Sequence, residues 1–195
     1  MFKRFSNIDI GLWVLLAMNI YLIWYYLKVP GSIDTIILLF YVQSVLIGVF
    51  NVLDMLTLTN VTNSTGEGPT SKKGCAAGFF AVHYGGFHFV YLFFLIIKIN
   101  FKNLDGPFIY LSLWILLANA TIGFIQNKIR NRTEAASVGA MFFMPYPRII
   151  PMHLFILAPV FLHISAPLVF LVLKTIADVI MYVVCRKIVF RPIEK

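Results

Sequence analysis

Charge is scarce in this sequence. Only 12% of its 195 residues are Asp, Glu, Lys or Arg, about half the share found in soluble domains. Intrinsic disorder needs a polar, charged chain and is excluded. Cysteine is scarcer still. Cys75 and Cys185 stand alone, too few for a disulfide framework or a thiolate metal cluster. The glycine patterns of phosphate and dinucleotide loops are absent, as are a G-x-S-x-G nucleophile elbow and an H-E-x-x-H zinc helix. Apolar residues are abundant instead, at 60% with a mean hydropathy of +0.86. No single core of this size could bury so much apolar surface, so a soluble globular domain is excluded too. A polytopic membrane protein remains, and residues 1–195 read as one membrane domain with no internal repeat.

A hydrocarbon core of about 30 Å takes about 20 apolar residues per helix. Six stretches qualify, at about 8–27, 33–58, 75–99, 107–125, 149–165 and 167–184. The first is too long, and too closely followed by another, to read as a cleaved signal peptide. Pro167 divides the last two, and the alternative there is one long kinked helix. The fold class expected is an all-α, polytopic integral membrane helix bundle of six transmembrane helices. Between the fourth and fifth spans lies a basic loop, 126–148. Its Val138 and Met141 to Met144 suit an interfacial helix at the membrane surface, or else an ordered loop covering the helix ends.

Charge sets the orientation. Twelve cations share one side: Lys3, Arg4, Lys72, Lys73, Lys128, Arg130, Arg132, Arg148, Arg186, Lys187, Arg191 and Lys195. Three, Lys28, Lys98 and Lys102, fall on the other, and Lys174 lies within a span. The richer side, with both termini, is expected in the cytoplasm. The net charge of +8 therefore speaks to orientation and anionic lipid rather than to nucleic acid. The sequons at Asn60, Asn63 and Asn131 fall in the cytoplasmic loops and are expected to go unused.

Ionisable groups inside a membrane are costly and usually face the bundle interior. Here they are few enough to name. Gln43, Asn51 and Asp54 lie near one face of the second span. His83 and His88 lie in the third, His153 and His163 in the fifth, Lys174 and Asp178 in the sixth, with Arg148 at the entrance of the fifth. At about 1.5 Å rise per residue, Asp54, His153, His83 and Asp178 fall in the cytoplasmic half. Three readings stay open for this cluster. His83, His153 and Asp178 or Asp54 could hold zinc or iron, since two imidazoles and a carboxylate suit either metal and leave a position open. His and Asp could relay protons or ions. The third reading is structural: Lys174 and Asp178, four residues apart, neutralise each other, and the histidines bond backbone carbonyls across helices. The Tyr and Phe residues around His88 read as packing rather than as a haem pocket on His88 or His163.

Three elements resemble an uncharacterised prokaryotic family of multi-pass membrane proteins. They are Phe79-Phe80-Ala81-Val82-His83-Tyr84-Gly85-Gly86-Phe87, then Arg148 followed by Met152-His153, then Lys174-Thr175-Ile176-Ala177-Asp178. The stretch Tyr41 to Leu56 is similar to that family's second span. Two positions depart from its pattern. Gln43 stands where an acidic residue is frequent, and Tyr91 stands where a histidine is frequent. The resemblance implies no known activity. It singles out His83, Arg148, His153, Lys174 and Asp178 as residues of the shared elements.

The expectation is thus a protein of the cytoplasmic (inner) membrane, with a buried polar site of His83, His153, Asp178, Lys174, Asp54 and Arg148. A metal-dependent enzyme or carrier is one reading, and a non-catalytic subunit of a larger membrane complex the other. The lipid bilayer is its medium. Other membrane proteins or a second copy of the chain are the partners expected.

Overall fold

The computed structural model describes residues 10–63, 72–147, 150 and 167–192. Five long helices dominate it: α1 (Ile10–Lys28), α2 (Ile33–Thr57), α3 (Lys73–Lys98), α4 (Gly106–Arg130) and, after the short α5 (Val138–Phe143), α6 (Pro167–Val189). The five long ones are, among the described residues, long and apolar enough to cross a membrane. Their starts and stops follow local chemistry. Pro30 and Gly31 break the chain between α1 and α2 in one turn of 3-10 helix. Asp105 caps α4 by accepting a hydrogen bond from the Phe108 N–H at 3.0 Å, with Pro107 in the first turn, where a missing N–H costs nothing. Apart from Ile150, the expected span at 149–165 lies outside the described residues.

α2 packs chiefly against α3 and α4, while α1 packs against α6 and α4. Each helix buries one stripe. On α3 the buried residues are Ala77, Phe80, Tyr84, His88, Tyr91 and Leu95, spaced three and four apart as a single helical face requires. The remainder of α3 is exposed and apolar, with Val82 at 78% and Phe89 at 74%. Such a surface suits lipid rather than water.

Two findings depart from the expectation. First, α4 runs to Arg130 and α6 to Val189, each five residues past the expected ends at 125 and 184. Second, a small sheet stands beside the helices. Strands β1 (Val61–Thr62), β2 (Glu134–Ser137) and β3 (Phe190–Pro192) lie in that order. β1 and β2 are parallel, with Val61 opposite Ala136; β2 and β3 are antiparallel, with Ala136 opposite Phe190. The surface helix expected in the basic loop therefore shrinks to the six residues of α5. Ser137 caps it, accepting from the Ala140 N–H at 3.4 Å.

The sheet joins the ends of α2, α4 and α6 at one end of the bundle, hereafter the sheet end. Asn131 fastens it. Its Oδ1 accepts from the N–H groups of Thr59 and Asn60, both at 3.0 Å, and its Nδ2 donates to the Asn60 carbonyl at 2.7 Å. Asn60 and Asn131, read from sequence as sequons, are thus each other's hydrogen-bond partners. Arg130 pairs with Glu134 at 2.8 Å and lies 4.8 Å from the Phe190 ring. At the opposite end, the Tyr25 hydroxyl donates to Asp105 Oδ2 at 2.7 Å.

Candidate functional site

Lys174 is the hub of a buried polar network joining three helices. It and Asp178 sit one turn apart on α6 and form the ion pair that their spacing predicts. The ammonium also donates to Asn19 Oδ1 of α1 at 3.2 Å and to Gln43 Oε1 of α2. Asn19 Nδ2 donates to Asp178 Oδ2 at 3.2 Å, and the Phe40 ring lies 4.6 Å from the ammonium. Asn19, Lys174 and Asp178 are all at most 5% exposed. Three donors thus meet three oxygens, as a buried ammonium needs.

A cavity of about 200 Å³ starts at Gln43 and extends to Val189 and Phe190 at the sheet end. α1, α2, α4, α5 and α6 all contribute to its walls. α2 presents Gln43, Ile47, Phe50, Asn51 and Asp54, at the three-to-four spacing of one helical face. α4 presents Leu116, Asn119, Ala120, Gly123, Gln126 and Asn127 at the same spacing. Tyr182 and Cys185 of α6 and Met141 of α5 complete the walls. The amide Asn51 Nδ2 donates to the Met141 carbonyl at 2.9 Å, tying α5 over the cavity. Gly11 lets α1 approach, since a Cβ there would lie 2.7 Å from the Tyr182 hydroxyl.

Asp54 lies one turn from the sheet end of α2 and is 6% exposed. Its Oδ2 accepts from Asn127 Nδ2 at 2.7 Å. Its Oδ1 is buried without a hydrogen-bond partner among the described residues. Lys128 is exposed, with its ammonium 4.8 Å from the Phe124 ring, and does not line the cavity.

His88 is buried between α2 and α3. Its Nδ1 meets the Tyr84 carbonyl at 2.9 Å and its Nε2 meets Ser44 Oγ at 2.8 Å. A carbonyl only accepts, so Nδ1 carries the hydrogen, and in the neutral ring Nε2 accepts from the Ser44 hydroxyl. Tyr84 donates to the Ser44 carbonyl at 2.9 Å and lies against Gly48, where a Cβ would fall 2.3 Å from the ring. None of Ser44, Tyr84 and His88 lines the cavity, so the group works as a polar staple between two helices.

The sequence candidates therefore part company. Lys174 and Asp178 share the buried network, and Gln43 joins that network to the cavity that Asp54 lines nearer the sheet end. His83 stands on the exposed side of α3, stacked on Phe79 at 5.7 Å and edge-on to Phe87 at 5.1 Å. Among the described residues it shares no partner with Asp178 or Asp54. His153, Arg148 and His163 lie outside the described residues. Among the described residues, no group of three His, Cys, Asp or Glu side chains is placed to hold a metal ion. Reading the spans for ionisable groups passes over Asn19, Asn119, Gln126 and Asn127, although an amide buried in a bilayer also demands partners.

No curated protein and no solved structure matches the chain. A family model, described as a family of unknown function (DUF6498), matches residues 1–190, in keeping with the resemblance to an uncharacterised family. The match takes in all five long helices and the polar network, and the chain belongs to that family of unknown function.

Proposed function

We propose that this is a solute-binding protein of the cytoplasmic membrane, of the carrier type, with six spans and both termini in the cytoplasm. On this reading small molecules enter from the cytoplasm at the sheet end and occupy the cavity between α1, α2, α4 and α6. The observation that carries it is the cavity itself. Five helices pack around about 200 Å³ of space lined by amides set among apolar side chains, where a merely structural bundle would fill such space with side chains. The bias of basic residues towards the sheet end supports the orientation.

A zinc or iron ion on His83, His153 and Asp178 would have to draw on a histidine exposed on α3 and a carboxylate already engaged by Lys174 and Asn19. The cavity reading needs neither. Cys185 lines the cavity and is half-buried, while Cys75 is exposed. With Cys75 replaced by Ser, a membrane-impermeant thiol reagent should modify Cys185 in inverted membrane vesicles and not in spheroplasts. Ala120→Trp, which fills the cavity from α4, should block the reaction. Labelling from the outer face alone, or labelling indifferent to Ala120→Trp, refutes the proposal.

A further inference from the structure

The cavity has one carboxylate, and that carboxylate is incompletely satisfied. Asp54 keeps Asn127 on Oδ2 while Oδ1 has no hydrogen-bond partner among the described residues. A carboxylate so placed, with a single neutral donor, is stable as an ion only when a positive charge joins it. Among the described residues the buried cation of the bundle is Lys174, and it is engaged by Asp178, Asn19 and Gln43. Arg130 is engaged by Glu134, and Lys128, whose charge is felt at Asp54, is exposed over the Phe124 ring and does not line the cavity.

We infer that the cavity binds a small organic ammonium ion, its charge on Asp54 and its hydrocarbon against Phe50, Phe124 and Met141. This rests on the proposed solute-binding function and names the solute's chemistry. One carboxylate balances one positive charge, and a divalent metal would want further anionic ligands or histidines. The N–H groups of an ammonium find acceptors in Asp54 and in the amide oxygens of the lining. The other walls are apolar. Phe50 and Phe124 meet edge-to-face at 5.9 Å, and an aromatic face attracts a cation as well as a hydrocarbon. Size limits the body of the ligand. An apolar cavity of about 150 Å³ accepts a molecule such as benzene, so about 200 Å³ accepts an ammonium with a short alkyl or single-ring body.

The test compares two thiol reagents of similar size on the full-length chain with Cys75 replaced by Ser, in inverted vesicles. One is cationic, 2-aminoethyl methanethiosulfonate, and the other anionic, 2-sulfonatoethyl methanethiosulfonate. Cys185 should react about tenfold faster with the cation, the scale of a single charge felt within a bundle. Asp54→Asn, nearly isosteric and still able to accept from Asn127, should bring the ratio down towards that of a small free thiol in water, and Asp54→Glu should restore it. n-Butylammonium should protect Cys185, and n-butanol should not. Reaction at equal rates with both reagents, unaffected by Asp54→Asn, overturns the ammonium inference and leaves the cavity reading standing. Protection by butanol equal to that by butylammonium does the same. A Cys185 that reacts with neither reagent overturns both.

Discussion

Removing both members of the Lys174–Asp178 pair should harm the fold less than removing either alone would suggest. Lys174 is 5% exposed and Asp178 2%, so each depends on its partner for the charge to exist at all. Stranding one member of a buried pair costs about 3–5 kcal/mol. Asp178→Asn leaves the ammonium with three neutral oxygens, on Asn19, Gln43 and the new amide, and with the Phe40 ring. Those contacts hold the loss near the lower end, about 3 kcal/mol. Lys174→Met leaves the carboxylate one donor, Asn19 Nδ2, and takes the donor from Gln43, for about 4 kcal/mol.

The double substitution removes both charges. What it leaves is one amide oxygen short of a donor, because the new amide at 178 can turn its NH2 towards Asn19. That residue of cost is about 1–3 kcal/mol, against roughly 7 kcal/mol if the single losses added. The assay is reversible unfolding of the full-length protein in mixed micelles, with all four forms measured under one condition. A double loss equal to the sum of the single losses within about 0.5 kcal/mol would refute mutual neutralisation, and Asp178 would then owe its burial to a different partner.

Gly48→Ala should lower the unfolding midpoint by the equivalent of about 1–3 kcal/mol, because the new Cβ would meet the Tyr84 ring at 2.3 Å and that ring is held by Ser44. In a Tyr84→Leu background the same change should cost measurably less, and equal cost in both backgrounds would sink the explanation. The Tyr25 hydroxyl, and after it the Phe108 N–H, hold the Asp105 carboxyl below its ordinary value. A lowered folded value means stability that is present above the ordinary carboxylate range near 3.9 and lost as the pH falls through the folded value. Tyr25→Phe should therefore lower thermal stability at neutral pH, with the gap to the parent narrowing below about pH 4; a gap that widens on acidification would contradict it.

Much of the bundle was legible because a membrane helix must be long, apolar and continuous. The starts of α2, α3 and α4 and the ends of α1, α2 and α3 fall within two residues of expectation, and Pro107 and the Pro30-Gly31 break explain three of these six. The Lys174–Asp178 pair and the shared face of Gln43 and Asp54 were legible because helical periodicity fixes them within one segment. The sheet was not, because Glu134–Ser137 owes its extended shape to partners at Val61–Thr62 and Phe190–Pro192. Nothing local marks four residues as a strand when their pairing is so distant. His83 and His88 show the same limit. The two lie five residues apart on one helix, yet His88 is buried against Ser44 while His83 is exposed, since the position of α2 decides which side of α3 is inside.

The cavity is hidden in the sequence for a different reason, a matter of which residues count as costly in a bilayer. Charged groups stand out because an isolated ion in hydrocarbon is expensive. An amide left without partners there is expensive too. Counted on that basis, Asn119, Gly123, Gln126 and Asn127 form a polar and small-residue stripe along α4, with the same three-to-four period as Gln43, Asn51 and Asp54 along α2. Two such stripes on adjacent spans cannot both face lipid cheaply, so each is driven towards the other. Small residues such as Ala120 and Gly123, set among the amides, then leave space between the helices instead of filling it. Large apolar side chains there would have closed the gap and required Asp54 to be apolar as well. The carboxylate and the space beside it are therefore two consequences of one choice of residues on α2 and α4, and a substitution that fills the space should weaken the need for the charge.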